Sequence, residues 1–200
     1  MSAEQQDPRI GPNAILQVVA ALRARHGETV TLGVLSRAGL ASVIEHPPEH
    51  MVAERDVIAL HGSVRRELGT DAARAVMVGA GIGTGDYLLA HRIPALAQRV
   101  LRASPARLAS RMLLAAISKH TWTFAGSGEC KFTAGHPVLV TIRGCPACRG
   151  EHAPAAICDY YAKTFERLYG VLVHPAAHVR ETTCMATGAD ACRFEISWTR

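Results

Sequence analysis

The sequence predicts an α+β fold in which several helices pack against an antiparallel sheet of about four to five strands. Through residue 119, apolar residues recur at the spacing of amphipathic helices. From Thr121 onward, apolar and polar residues alternate in short runs separated by glycine-containing turns, which is typical of strands. No repeat or linker divides these parts, and 200 residues suit one domain. We therefore expect a single domain over residues 1–200, with a helical part at 13–119 and a sheet part at 120–200.

The helical part predicts six helices, bounded by glycine and proline. Residues 1–12 contain two prolines and a glycine, so we expect them to form a flexible lead-in. Gly27 and Gly69 each separate two helical patterns, because glycine favours helix ends. The predicted helices span residues 13–25, 29–40, 53–68, 72–89, 94–101 and 105–118.

The fourth of these helices contains a glycine-rich run, 76–83, that superficially resembles a strand entering a dinucleotide-binding loop. The run gives no G-x-G-x-x-G pattern, because the residues three after its last two glycines are Thr84 and Asp86. Small residues four apart, such as Gly81 and Gly85, instead allow a helix to approach a neighbour closely. We therefore favour close helix packing over nucleotide binding for this run.

The sheet part predicts short strands and one further helix. Strands are predicted at 121–125, 130–133, 137–143, 178–183 and 192–198, and the helix at 153–168. A turn at 186–190 joins the last two strands, so we expect them to form a hairpin.

Composition excludes several classes of protein. No run of about 18 uncharged apolar residues exists, so we expect no transmembrane segment. The N-terminus lacks the basic-then-apolar order of a signal peptide, which favours a cytoplasmic protein. The net charge of +5 is spread along the chain and aromatic residues make up 5%, so we expect no nucleic-acid partner. Six cysteines in such a chain indicate thiols or metal ligands rather than disulfides.

Four residues in the last quarter of the chain form a candidate metal site. Cys184 and Cys192 lie on the two arms of the predicted hairpin, Glu181 precedes Cys184 by three residues, and Cys158 lies in the first half of the last helix. Three thiolates and one carboxylate would complete a tetrahedral shell without a position for substrate water, so zinc here would be structural. Ordinary buried cysteines are the alternative interpretation. The sequence assigns no role to Cys130.

Further candidate ligands exist near this site. Asp190, His178 and His152 rank behind the carboxylate named above. The C-x-x-C pair of Cys145 and Cys148 is typical of half a zinc site or of a redox dithiol. Because no second C-x-x-C and no βαβ pattern accompanies this pair, we favour a glycine-rich loop with incidental thiols over a metal or redox role.

The chain ends in a pattern that carries a family resemblance. The pattern is a cysteine at the start of the last helix followed by a terminal Glu-x-x-Cys, Gly, Cys-x-Phe run, here Cys158, Glu181, Cys184, Gly188, Cys192 and Phe194. With these residues, the chain from Thr121 to its end resembles the 4-vinyl-reductase domain family. Similar domains in phenol-sensing bacterial transcription activators hold zinc through three cysteines and a glutamate, which implies the four ligands proposed above. Those domains bind small aromatic compounds between helices and sheet, and the wider fold is often dimeric, which implies a homodimer.

The resemblance also implies a role in bacteriochlorophyll biosynthesis, where family members are expected to act on the 8-vinyl group of a chlorophyllide precursor. Vinyl reduction needs a hydride source, normally held by a recognisable phosphate-binding backbone, and the sequence has none. We therefore predict a protein that binds a divinyl magnesium tetrapyrrole or porphyrin and carries it to enzymes of the pathway. The alternatives are a reductase of divinyl protochlorophyllide that uses NAD(P)H, and a protein-interaction module for pathway assembly.

Candidate pigment-binding residues lie mainly around the start of the sheet part. We expect an apolar cleft between the glycine- and alanine-rich helix and the first strands. The candidates are Trp122, Phe124 and Phe132 for stacking on the macrocycle, His120, His91 or His136 for magnesium, and Arg111 or Arg107 for a carboxylate. Aromatic residues on strands are more often part of the core, and arginines one turn apart more often form a solvated helix face.

Overall fold

The computed structural model describes residues 7–199, and within this range helices precede and cover an antiparallel sheet. The helices are α1 (Asn13–Arg37), α2 (Glu54–His91), α3 (Ala95–Ala103), α4 (Ala106–Ser118), α5 (Trp122–Ala125) and α6 (Asp159–Leu172). The strands are β1 (Arg9–Ile10), β2 (Val52–Ala53), β3 (Glu129–Thr133), β4 (Val138–Arg143), β5 (His178–Thr183) and β6 (Cys192–Ser197). Strands β1 and β2 pair with each other, and the others form one antiparallel sheet in the order β3-β4-β6-β5. The α+β prediction is therefore confirmed.

Two glycines divide the long helices where the sequence predicts a break. Gly27 in α1 has φ 76° and Gly69 in α2 has φ 73°, both in the left-handed region that glycine adopts without strain. Each long helix therefore consists of two helical segments. None of the helices within residues 7–199 combines the length and the hydropathy that crossing a membrane requires.

The second segment of α2 packs closely on α6 through its small residues. A Cβ atom at Gly81 would lie 2.5 Å from the Tyr160 carbonyl oxygen and 2.9 Å from the Lys163 Cβ atom. Thr84 Oγ1 donates a hydrogen bond to the Tyr160 hydroxyl (2.9 Å), and Thr164 Oγ1 lies 3.2 Å from the Gly81 carbonyl oxygen. The prediction that the glycine-rich run serves helix packing is confirmed, because the run lies inside α2 and meets backbone of α6.

One face of the four-stranded sheet is buried under α6. Val140 pairs with Phe194 and Ile142 pairs with Cys192, and all four side chains are fully buried. Phe165 of α6 packs edge-on against Phe194, with ring centroids 6.0 Å apart. Alternate residues of these strands point away from the helices, which explains the alternation in the sequence.

Two predicted element boundaries were wrong. Residues 121–125 form the short helix α5 instead of a strand, and tertiary hydrogen bonds fix its carbonyls: Gly11 N donates to Thr123 O (2.7 Å) and Tyr161 Oη to Phe124 O (2.6 Å). The last helix begins at Asp159 instead of 153, because Ala153 N pairs with Ala186 O (2.9 Å).

The predicted flexible lead-in also fails for the residues that the structure describes. Ile10 is buried, and β1 pairs with β2, so the backbone of residues 9–10 is held in place. Residues 1–6 of the predicted lead-in lie outside the described range.

Candidate functional site

Five cysteines converge at one buried point of the molecule. They come from the connection between β4 and α6, from the residue that precedes α6, from the residue that follows β5 and from the start of β6. These residues, here called the cysteine cluster, are Cys145, Cys148, Cys158, Cys184 and Cys192, and each is buried. The sheet and α6 thus bring together thiols that are up to 47 positions apart in the sequence.

The four ligands predicted from the sequence lie close together. Cys158, Glu181, Cys184 and Cys192 each offer a ligand atom, and these atoms all lie within 4.8 Å of one another. Cys158 Sγ is 3.6 Å from Cys192 Sγ and 3.8 Å from Cys184 Sγ. Four sulfurs at about 2.3 Å from a tetrahedral ion are about 3.8 Å apart, so these separations suit one bound ion.

Glu181 has one carboxylate oxygen in use and one without a partner. Its Oε2 accepts a hydrogen bond from Cys158 N at 2.8 Å, whereas its Oε1 is buried and has no hydrogen-bond partner among the described residues. Burial, and next the neighbouring Cys184 thiolate, raise the pKa of this carboxyl to about 8. A cation among the thiols would satisfy Oε1 and favour the charged carboxylate, so the residues present fit a metal ion.

The other ligands considered in the sequence do not join the site. Asp190 is exposed and forms an ion pair with Arg193 at 2.9 Å. His178 contacts Glu166 at 3.0 Å, and His152 is exposed.

Cys145 and Cys148 are members of the site that sequence reasoning missed. They form a second group of potential metal ligands with Cys158 and Cys192, and the ligand atoms of this group also lie within 4.8 Å of one another. The C-x-x-C spacing was the available signal, and the prediction of incidental thiols is wrong about their location. Cys130 lies outside both groups, and burial, together with the charge of Cys145, raises the pKa of its thiol to about 12.

Side chains of α2 hold the cysteine-bearing segments in position. The Arg65 guanidinium donates to the carbonyl oxygens of Ala147 (2.6 Å) and Ile157 (3.2 Å), which lie beside cysteines of the cluster. The buried Glu54 carboxylate accepts hydrogen bonds from Arg149 (3.0 Å) and from the Ser127 hydroxyl (2.7 Å). The helical part and the cluster are therefore linked by charged hydrogen bonds, which are stronger than neutral ones.

An open groove lies between α4 and the edge strand β3. Its volume is about 370 Å³, and its lining residues are Leu114, Ala115, Ser118, Cys130, Lys131, Phe132, Thr133 and Ala134. Arg111 precedes Ala115 by four residues and Ser118 by seven, so it lies on the side of α4 that faces the groove. No ion pair to Arg111 occurs within residues 7–199.

The structure separates the predicted pigment-binding residues. Phe132 lines the groove, and exposed His120 follows α4 by two residues. Phe124 packs edge-on against Phe165 at 6.2 Å, and Trp122 is 60% exposed beside a different hollow. The predicted row of three strand aromatics is therefore wrong, because two of them lie in α5.

The predicted cleft also lies elsewhere. The glycine-rich segment of α2 faces α6 and leaves no space for a ligand at Gly81, so it does not line the groove. Of the other histidines considered, His91 packs on Tyr87 and His136 packs on Trp198.

Solved structures of heme-binding H-NOX proteins share this fold. An H-NOX protein from S. oneidensis in the Fe(II)NO state superposes with a TM-score of 0.56 at 14% identity, covering 96% of this chain and 100% of that chain. A second H-NOX structure, from a study of heme distortion, gives a TM-score of 0.60 at 12% identity and covers 96% of both chains. At these identities the similarity concerns the fold alone.

Sequence comparison identifies much closer relatives. Residues 138–197 match the 4-vinyl-reductase domain, in agreement with the resemblance seen in the terminal motif. The bacteriochlorophyll synthase 23 kDa chain of Cereibacter sphaeroides is 45% identical over 188 residues, which are 94% of this chain and 90% of that relative. The protein of the same name from Rhodobacter capsulatus is 37% identical over 193 residues, covering 96% and 89%. The chain therefore belongs to the family of bacteriochlorophyll synthase 23 kDa chains, which carry a 4-vinyl-reductase domain.

Proposed function

We propose that this protein acts in bacteriochlorophyll biosynthesis, where it binds a divinyl tetrapyrrole intermediate and presents it to enzymes of the pathway. The relationship to two bacteriochlorophyll synthase 23 kDa chains over nearly their whole length supports the pathway. The observation that carries the binding activity is the groove between α4 and β3, which combines apolar walls with an arginine that has no ion-pair partner among the described residues.

The groove offers the contacts that an anionic macrocycle needs. Leu114 and Phe132 give apolar contact, and the ring of Phe132 can stack against a planar π system. Arg111 can form a bidentate pair with a carboxylate of the pigment. His120, just beyond the end of α4, stays a candidate ligand for the magnesium of the macrocycle. Trp122 and Phe124 take no part in this site.

The open form of the groove favours a carrier. A volume of about 370 Å³ at the surface covers only part of a tetrapyrrole, so a second protein can reach the bound pigment. The glycine-rich run that might have held a nucleotide phosphate lies inside α2. Binding without reduction is therefore the activity that the geometry supports best.

We also propose that the cysteine cluster holds a structural zinc ion through Cys158, Glu181, Cys184 and Cys192. Thiolate ligands with one carboxylate suit zinc, and a shell of four protein ligands leaves no open position for catalysis. When bound, zinc would connect the start of α6 with the β5–β6 hairpin. These residues would then hold α6 against the sheet.

Substitution Ala115→Glu tests the groove. We expect it to weaken pigment binding at least about tenfold, because it places bulk and negative charge on a wall that accepts an anionic, apolar ligand. The dissociation constant is measured by absorption titration with divinyl protochlorophyllide.

The matched control is Ala116→Glu, on the same helix but turned about 100° away. Both alanines are exposed, so both variants should keep the melting temperature of the parent protein. Equal pigment affinity in the two variants would place the binding site elsewhere.

A further inference from the structure

We propose that the cysteine cluster is a two-metal centre, in which a second ion is held by Cys145, Cys148, Cys158 and Cys192. This inference rests on the structural zinc proposed above and adds a neighbouring ion of the same chemical class. Cys158 and Cys192 belong to both ligand groups, so their thiolates bridge the two ions. The cluster thereby connects the β4–α6 loop to the hairpin.

The sulfur positions of the second group fit a tetrahedral ion. Cys145 Sγ lies 3.8 Å from Cys158 Sγ, and Cys148 Sγ lies 3.4 Å from Cys192 Sγ. The shared thiols are 3.6 Å apart. These values lie near the separation of about 3.8 Å that tetrahedral zinc with thiolate ligands requires.

The number of donors also exceeds what one ion can use. The site contains five thiols and one carboxylate, whereas one tetrahedral zinc binds four of them. With a single ion, Cys145 and Cys148 would remain unliganded in full burial, directly against the thiolates of the first group. A second ion gives every donor of the site a metal, because each thiolate sulfur has lone pairs enough to bridge.

The charges around the second group support this arrangement. Two divalent ions with five thiolates and one carboxylate carry the same net charge, −2, as one ion with three thiolates and one carboxylate. Arg65 compensates part of it, because its guanidinium donates to Ala147 O and Ile157 O. Its Nη1 is buried and has no hydrogen-bond partner among the described residues, so this positive group remains directed to the ligand loops.

The chemistry of the second group favours zinc. Four thiolates in tetrahedral arrangement bind zinc or iron. An iron–sulfur cluster needs inorganic sulfide between its irons and therefore more widely spread thiolates, whereas these ligand atoms all lie within 4.8 Å. Binding of the second zinc releases the thiol protons of Cys145 and Cys148.

Metal counting on the full chain tests the proposal. The protein is purified under reducing conditions, saturated with Zn²⁺, freed of unbound metal and analysed for zinc per chain. We expect two ions in the parent protein, one in the double variant Cys145→Ser/Cys148→Ser, and two in the control Cys130→Ser, whose thiol is outside the cluster. One zinc in the parent protein, or iron with acid-labile sulfide, would overturn the two-zinc centre; no zinc at all would overturn the proposed structural zinc as well.

A second measurement does not depend on the folding of a variant. Parent protein loaded with cadmium-113 should give two NMR resonances that are split by coupling through the shared thiolates. A single resonance at saturation would overturn the proposal.

Discussion

Removal of metal by a chelator under reducing conditions is expected to unfold the sheet part of the protein at room temperature. The apparent binding free energy of structural zinc is about 10–16 kcal/mol in small zinc domains, which is comparable to the whole stability of a typical protein. Without metal, the buried thiols and Glu181 lose their common partner. Circular dichroism melting curves of metal-loaded and chelated protein measure the effect.

Substitution Cys184→Ser gives the same effect in graded form. Cys184 belongs to only one of the two ligand groups, so we expect loss of about one zinc per chain and a lower melting temperature together. Cys130→Ser is the matched control, and it should keep both the metal and the melting temperature. A chelated protein that contains no metal and melts like the parent would contradict a structural role.

The second large effect is expected for Gly81→Ala in the contact between α2 and α6. The added Cβ atom would lie 2.5 Å from the Tyr160 carbonyl oxygen and 3.2 Å from Thr164 N, and backbone cannot move away as a flexible side chain can. Overpacking of this kind costs about 1–3 kcal/mol and sometimes more. Urea denaturation gives the change in the free energy of unfolding.

Gly33→Ala is the control for helix propensity. Gly33 lies in α1, and a Cβ atom there would meet nothing within 4 Å. We expect this variant to gain up to about 1 kcal/mol, because alanine is the better helix former. If both variants were equally stable, α2 and α6 would not be in the contact described.

Local sequence signals predict much of this fold. Gly27 and Gly69 mark the breaks in α1 and α2 because their positive φ values are a property of the residue itself. The β5–β6 hairpin is predictable because its alternation and its turn lie in one continuous segment. The close approach at Gly81 follows from residue size, which is also local.

Features that depend on distant segments could not be predicted in the same way. Residues 121–125 alternate as a strand would, but they form α5 because tertiary hydrogen bonds hold their carbonyls. The C-x-x-C spacing of Cys145 and Cys148 shows two adjacent ligands without showing which other thiols they meet. That depends on the path of the loop after β4, which returns to the start of β6.

The groove depends on tertiary structure in a further sense. Its walls come from α4 and β3, and neither element alone shows that a gap lies between them. Residue type and position are enough to suggest Phe132 and Arg111 as candidates. The aromatic residues of α5 would join the same site only if their segment were a strand.

The most direct test of the proposed carrier function is a titration of the purified, metal-analysed protein with divinyl protochlorophyllide, with and without reduced nicotinamide cofactor. We predict a saturable shift of the pigment absorption that is the same in both conditions, weakened by Ala115→Glu, with no monovinyl product. Conversion to the monovinyl pigment by the protein alone would contradict the carrier and show a reductase, and the absence of any shift would contradict pigment binding itself.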